Sequence, residues 1–517
     1  MPRTFDPRVG DRTLFDALIR ARNKYGAGKP ILEDQERHPL SYTDLIRAAF
    51  ALGRKLSAIS EPGERIGVLL PSSAGVVVTF FALHAFGRTP TMLNFTAGIR
   101  NLKAACKLAG VKTILTAHRF IDQGKLDDLI DALQAEHAII YLEDVRAGIG
   151  LADKAFAIAA GLFPQRFLAP TKPSDPGVIL FTSGSFGAPR GVVLTQANLA
   201  SNVEQIACHI DLDPDWVMFN PLPTFHCFGL TGGALLPILN GIKAFQYPSP
   251  LHVKQIPPLI RDTKASVLFA TDTFINQYAR AAEPGELSGL RFVVCGAEKV
   301  RQETHDLVAE RFGDVELLEG YGATEASPVI AVNQPGANHR GTVGPPVPGV
   351  ETRIEPVEGI ARGGRLYVRG PNIMAGYLDE TGRIEPPAGG WHDTGDVVEA
   401  DAGGWIHILG RVKRFAKIGG EMVSLTAAES LAAGAWPDAR HAVIAMPDGR
   451  KGERLVLVTD RLDASVDRLL AYAKSVGAPD LAAPRKIVRV PEIPVLGTGK
   501  TDYVAIQRMA ETEVRAA

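Results

Sequence analysis

The chain has 517 residues, 46% hydrophobic and 22% charged, with a formal net charge of -1. That is more chain than one hydrophobic core usually serves, so two or more domains are expected. The balanced charge offers no global field for nucleic acid or a membrane. The four cysteines form no CxxC pair, which excludes a zinc knuckle or a disulfide framework and fits a reducing cytoplasm.

In chain order, the opening "MPRTFDPRVGDRTLFDALIRARNKYG" carries charges throughout and lacks the apolar centre of a signal peptide. "RIGVLLP", "VKTILTA", "HAIIYLED", "GVIL", "SVLFAT" and "LRFVVCG" are short runs rich in Val and Ile and read as buried strands. "GIRNLKAACKLAG" and "DDLIDALQAE" between them have helical spacing. "AGVVVTFFALHAFG" (Ala74 to Gly87) is too short to span a bilayer and reads as a buried helix. Strand then helix, repeated, predicts an α/β fold with largely parallel sheets. The segment Ile149 to Pro170 reads first as a packed helix and linker, with weak peripheral membrane contact as the alternative. From about Gly341 the chain becomes dense in Gly and Pro, predicting a β-rich subdomain over 341–410. A small α+β domain is expected over 413–517, after a large domain spanning 1–412.

Several stretches suit chemistry. "FTSGSFGAPRG" (Phe181 to Gly191) follows a strand. Backbone N–H groups of such a Gly/Ser-rich turn can converge on an anion. Thr182, Ser183 and Ser185 add hydroxyls, Gly184 and Gly187 allow close approach, and Arg190 adds a cation. The stretch is not a G-x-x-x-x-G-K-[ST] loop, nor a G-x-S-x-G elbow. "LGTGKTDY" imitates the end of a P-loop, but Pro494 stands where the first glycine belongs. It reads as a turn presenting Lys500. "EGYGATE" (Glu319 to Glu325) brackets Tyr321 with glycines Gly320 and Gly322 and ends in a carboxylate that suits a hard cation. "WHDTGD" ends in Asp396, which could accept hydrogen bonds from a ribose. The Gly/Ser-rich stretch favours an anion site over a plain turn, EGYGATE and WHDTGD taken singly are more often ordinary turns, and the joint occurrence is what carries the reading.

The ordered set FTSGSFGAPRG, PTFHCFGL, EGYGATE, WHDTGD, GRVKRFAKIGGEMVSL and LGTGKTDY resembles the core motifs of the adenylate-forming (ANL) superfamily, across nearly the whole chain. The strings "ILFTSGS", "GPNIMAGYL" and "KRFAKIGGEMVSL" further resemble the synthetase half of the bifunctional acyl-[acyl-carrier-protein] synthetase/2-acylglycerophosphoethanolamine acyltransferase. None of the 12 histidines begins the H-x-x-x-x-D motif that the acyltransferase half needs. The resemblance implies an acyl-CoA synthetase-like fold. It also implies a soluble cytoplasmic ligase, peripheral on a membrane at most, that uses ATP and Mg2+ to turn a medium- or long-chain fatty acid into an acyl-adenylate. The acyl group would then pass to the phosphopantetheine thiol of a holo-acyl carrier protein. The alternatives are coenzyme A as acceptor, or a degenerate binder without catalysis. No nucleic acid partner is implied.

The resemblance also assigns roles by position. Thr182, Ser183, Gly184, Ser185, Gly187 and Arg190 would hold the β- and γ-phosphates. Gly296, Ala297 and Glu298 would line the adenine site with Tyr321 and Gly322. Thr324 would meet the α-phosphate and Glu325 would hold Mg2+. Asp396 and Arg411 would hold the ribose, and Lys500 would stabilise charge during adenylation. His226 would border the carboxylate and the thiol channel, with Phe225 and Phe228 as acyl-pocket wall. Lys413 would be the hinge, with Lys417, Gly419 and Gly420 reaching the thiol channel in the second step. Phe186 and Arg190 depart from the family pattern, in which a polar or acidic residue and a lysine are usual. The cluster Arg411, Lys413, Arg414, Lys417, Arg440, Arg450, Lys451 and Arg454 would suit steering of an acidic carrier protein, coenzyme A phosphates or an ordinary solvated face, and decides nothing by itself.

Overall fold

A computed structural model describes residues 4–183, 189–360, 362–418, 421–448, 452–495 and 501–516. The runs read as strands form strands: Arg65–Val68, Thr113–Thr116, Ala138–Tyr141, Pro176–Ser183, Val267–Ala270 and Phe292–Cys295. Ala74–Ala85, Ile99–Ala109 and Asp127–Gln134 are helices. Ser73 starts the first of these, its side chain accepting from the Val76 N–H. Gly110, in the left-handed conformation, ends the second.

Two eight-stranded sheets dominate the large domain. In the first, strands Glu316–Gly322, Phe292–Cys295, Val267–Ala270, Val217–Asn220, Lys243–Gln246 and Pro30–Asp34 lie side by side and parallel. In the second, the parallel centre is Pro176–Ser183, Thr89–Met92, Arg65–Val68, Thr113–Thr116 and Ala138–Tyr141. Buried side chains of both sheets and the helices around them form a main core that includes Phe50, Phe80, Phe219, Phe245 and Tyr278, and a second cluster with Leu69, Leu93, Ile114 and Ile179 covers the other face of the second sheet.

A four-stranded antiparallel sheet, Glu351–Glu355, Gly364–Arg369, His392–Ala400 and Ile406–Arg411, follows with its own small core. After the single turn Val412–Arg414 the chain builds a five-stranded sheet from Phe415–Ile418, Glu421–Ser424, His441–Asp448, Gly452–Thr459 and Lys486–Arg489. Separate apolar clusters centred on Trp436 and on Val456 hold this small C-terminal domain together.

Candidate active site

Parallel α/β sheets present ligands at the carboxyl ends of their strands. Here the first sheet ends at Thr271–Thr273, Gly296–Glu298 and Glu319–Gly322, and all three segments line one cavity of about 2150 Å³. The cavity lies between the large domain and the small one, since Thr426, Arg440, Thr501 and Tyr503 also line it.

At the strand ends, Ala297 adopts φ +71, a left-handed conformation that costs a non-glycine residue energy. The Thr273 backbone N–H and hydroxyl donate to the Glu298 carboxylate at 3.2 and 3.0 Å. Burial raises the Glu298 pKa. Arg440 of the small domain donates to the same Thr273 hydroxyl at 3.0 Å.

Gly322 needs to be glycine, because a Cβ there would lie 2.1 Å from the Pro328 carbonyl oxygen. Beside it, the Tyr321 hydroxyl donates to Asp396 at 2.5 Å, and Arg411 Nε meets the other Asp396 oxygen at 2.9 Å. Register explains the second pair: Asp396 and Arg411 are direct partners across the antiparallel ladder. Burial raises the Asp396 pKa, against the pull of Arg411 and Tyr321. A carboxylate engaged once at each oxygen keeps lone pairs for further donors.

The strands Pro176–Ser183 and Pro189–Thr195 pair antiparallel, Thr182 with Arg190 and Ser183 with Pro189, and Thr182 and Arg190 line the cavity. Gly184, Ser185, Phe186 and Gly187 lie outside the described residues. The Arg190 guanidinium stacks 3.5 Å from the Tyr377 ring centre, and the Tyr377 hydroxyl donates to Glu325 at 2.7 Å. Thr324 and Glu325 sit in one helical turn at the wall, with His392 across from them. Burial lowers the His392 pKa, with Glu325 opposing it. Among the described residues no group of three or more His, Cys, Asp or Glu could hold a metal. Glu325 is one carboxylate, which suits a cation that keeps waters and phosphate oxygens as its other ligands.

His226 lines the cavity, and after it Phe228–Leu235 winds as a π-helix, a geometry frequent at functional sites. Gly229 lets this segment close on the preceding loop, since a Cβ would meet the Pro223 carbonyl oxygen at 2.3 Å. Phe228 is wall, edge-on to Phe269. Phe225 is not among the lining residues. It is buried behind His226, its ring 4.8 Å from the imidazole and 4.9 Å from Phe95. Within PTFHCFGL, Pro223 and the consecutive residues His226 to Gly229 line the cavity, and of the two phenylalanines only Phe228 does. Cys227 also lines it, but burial pushes its thiol up to about 12, too high for a thiolate nucleophile at neutral pH. From Phe228 the cavity runs along the sheet past Phe269, Met218, Val294, Ile206, Ile210 and Phe292, an apolar arm leading away from the charged end.

Lys413 lines the cavity in the turn between the large domain's last strand and the small domain's first. Lys417 is exposed away from the cavity, its backbone N–H donating to Glu453 at 2.6 Å. Gly419, Gly420 and Lys500 lie outside the described residues, although Thr501, next to Lys500 in sequence, reaches the cavity. The structure thus gathers Thr182, Arg190, His226, Phe228, Gly296, Ala297, Glu298, Tyr321, Gly322, Thr324, Glu325, Asp396, Arg411 and Lys413, and leaves Lys417 and Phe225 outside the wall. Sequence reasoning missed Tyr377, His392 and Thr273, and named Arg440 only as one of a cationic cluster. The first two sit inside the quoted stretches "GPNIMAGYL" and "WHDTGD" and could have been flagged there.

A family model described as "AMP-binding enzyme" matches residues 19–378. Over 482 residues the chain is 28% identical to a feruloyl-CoA synthase of Amycolatopsis sp, covering 89% of this chain and 92% of that one. Over 501 residues it is 26% identical to the medium-chain fatty-acid–CoA ligase of Escherichia coli, covering 92% and 86%. The fold matches the ATP-bound MatB of Rhodopseudomonas palustris with TM-score 0.80 at 24% identity, covering 96% and 99%. It matches the anthranilate CoA ligase AuaEII with TM-score 0.80 at 21% identity, covering 97% of each chain. The architecture is the acyl-CoA synthetase-like α/β fold, with a large N-terminal and a smaller C-terminal domain.

Proposed function

Because the chain belongs to the AMP-binding enzyme family, and is therefore an ATP-dependent, AMP-forming acid–thiol ligase, we propose that it activates a fatty acid and passes the acyl group to coenzyme A. The observation that carries the acid is the cavity's two-ended chemistry. One end offers Asp396, Arg411, Arg190 and Glu325, and the other is an arm walled by Ile, Leu, Met, Val and Phe. An apolar arm joined to a few convergent polar groups suits an alkyl chain with a carboxylate at its head.

A carboxylate is a poor electrophile. In the proposed sequence its oxygen attacks the α-phosphorus of ATP, pyrophosphate leaves, and the acyl-adenylate forms. A thiolate then attacks the acyl carbon and AMP leaves. Negative charge grows on phosphate oxygens in the first step, so preorganised donors and cations lower its barrier. Thr182, Arg190 and the residues Ser183, Gly184, Ser185 and Gly187 would receive the outer phosphates, with Thr324 at the α-phosphate. Tyr321, Gly322 and Gly296–Glu298 would enclose the adenine. Asp396 and Arg411 would take the ribose hydroxyls, and Lys500 the charge at the reacting oxygens. Glu325, held by Tyr377, would bind Mg2+, which neutralises phosphate charge when present. His226 would stand between the acid's carboxylate and the incoming thiol, with Phe228 turning the acyl chain into the arm. Lys413 would be the hinge that exchanges Lys500 for the Lys417–Gly420 segment between the two steps.

Coenzyme A is favoured as acceptor over the carrier protein that the sequence suggests. The relatives are named as CoA ligases. Two cations of the cluster are neutralised at home, Arg411 by Asp396 and Arg414 by Glu429, Arg440 donates to the Thr273 hydroxyl, and Arg450 and Lys451 lie outside the described residues. The carrier-protein reading keeps the support of the likeness in ILFTSGS, GPNIMAGYL and the Lys413–Leu425 stretch. The test is ATP–pyrophosphate exchange over a series of fatty and aromatic acids, followed by thioester formation. Exchange with fatty acids supports the proposed substrate; exchange only with aromatic acids contradicts it.

A further inference from the structure

Among the described residues, thirteen large hydrophobic side chains are exposed, and four of them fall in one thirteen-residue stretch. Leu151 is 86% exposed, Ile158 50%, Leu162 57% and Phe163 59%. They belong to the helix Leu151–Leu162 and the residue after it. With exposed Ala155, Leu151, Ile158 and Leu162 follow the i, i+4, i+7, i+11 spacing of a single helical stripe. The opposite face is satisfied. Ala157, Ala160 and Gly161 are buried, and Phe156 packs on Phe50, Phe86 and Phe167. The stripe is therefore extra apolar surface, which the core does not need.

Charge identifies what covers it. From Val145 to Lys172 the only acidic residue is Asp153, and it is buried, paired with Lys55 at 2.7 Å and Arg54 at 3.4 Å. Every other charge in the segment is an exposed cation: Arg146, Lys154, Arg166 and Lys172. Lys154 lies one turn from both Leu151 and Ile158, and Arg166 stacks over the Phe163 ring at 5.6 Å. An apolar stripe whose own helix and the chain just after it expose only cations fits the boundary between acyl chains and anionic headgroups. We propose that the Leu151–Phe163 face docks on an anionic lipid bilayer, lying in its surface. No helix among the described residues is long and apolar enough to cross a membrane. The inference goes beyond the ligase reading and does not depend on it.

The test is sedimentation of the full chain with vesicles of phosphatidylglycerol and phosphatidylcholine, against vesicles of phosphatidylcholine alone. The wild type is expected to bind the anionic vesicles about tenfold or more tightly, and to release in high salt. Ile158→Asp/Leu162→Asp and, separately, Lys154→Glu/Arg166→Glu are each expected to weaken that binding about tenfold or more. Circular dichroism and the melting temperature should match the wild type, because all four side chains are exposed. Equal binding by wild type and both variants overturns the proposal, as does no binding by the wild type. So does a wild-type dimer that ignores vesicles and becomes monomeric in the apolar variant, which would make a second copy the occupant.

Discussion

Tyr377 connects two groups of opposite charge, donating its hydroxyl to Glu325 while its ring lies under Arg190. Burial, reinforced by Glu325, raises its pKa, so it stays a donor across the working pH range. Glu325 is thereby aimed before any ligand arrives. Tyr377→Phe keeps the ring under Arg190 and removes only the hydroxyl. It is expected to lower ATP–pyrophosphate exchange about tenfold and raise the Mg2+ concentration for half-maximal exchange, with an unchanged melting temperature. Asp396 gives a complementary expectation. Its raised pKa means that burying the charge costs stability at neutral pH, so Asp396→Asn removes that cost along with a charged acceptor. The KM for ATP should rise at least about tenfold, while thermal melts stay within a few degrees of wild type.

At the scale of elements, Gly322 lets the strand carrying Tyr321 close against the Pro328 carbonyl. Gly322→Ala should destabilise the protein by about 1–3 kcal/mol in denaturant titrations and lower nucleotide affinity with it. The helix Ala74–Ala85 buries His84, whose Nδ1 lies 2.8 Å from the Phe80 carbonyl. Burial lowers its pKa from 6.5 to about 4. A base lowered on folding contributes stability that is complete above the unfolded pKa and is lost as the pH falls through the folded one. His84 alone then accounts for a loss of about 3 kcal/mol between pH 6.5 and 4. His209 is lowered by burial in the same direction. The melting temperature should drop over that window, and His84→Leu should drop less. The elements themselves differ in how openly the sequence shows them. Val267–Ala270 and Phe292–Cys295 are plain apolar runs, legible at once. Thr89–Met92 is fully buried in the centre of a sheet, yet its sequence TPTM has the composition of a turn, and only its neighbours make it a strand. The Gly/Ser-rich stretch after Phe181 and the stretches carrying Asp396 and Arg411 were legible as motifs, while the strand pairing of Asp396 with Arg411 was not. The Thr273–Arg440 contact was not, because no local pattern joins residues so far apart in the chain.

For the whole molecule, the small domain touches the large one through Arg440 on Thr273 and Lys299 on Ser430, at 3.0 and 3.3 Å. Thr273 in turn holds Glu298 at the strand ends, so closure of the small domain bears directly on the proposed adenine wall. Arg440→Ala is expected to slow formation of the acyl-adenylate about tenfold. Its rate of thioester formation from supplied acyl-adenylate should stay near wild type, as rapid-quench kinetics would separate. The reading at this scale depends on an acid held in the apolar arm, a nucleotide at the charged end, and a thiol entering near His226. The most direct measurement supplies ATP, Mg2+ and a series of fatty acids with coenzyme A and holo-carrier protein in parallel, and follows AMP and both thioesters. The account predicts AMP with fatty acyl-CoA as the main product. Acyl-carrier product without acyl-CoA would contradict the acceptor, and no AMP with any fatty acid would contradict the central claim itself.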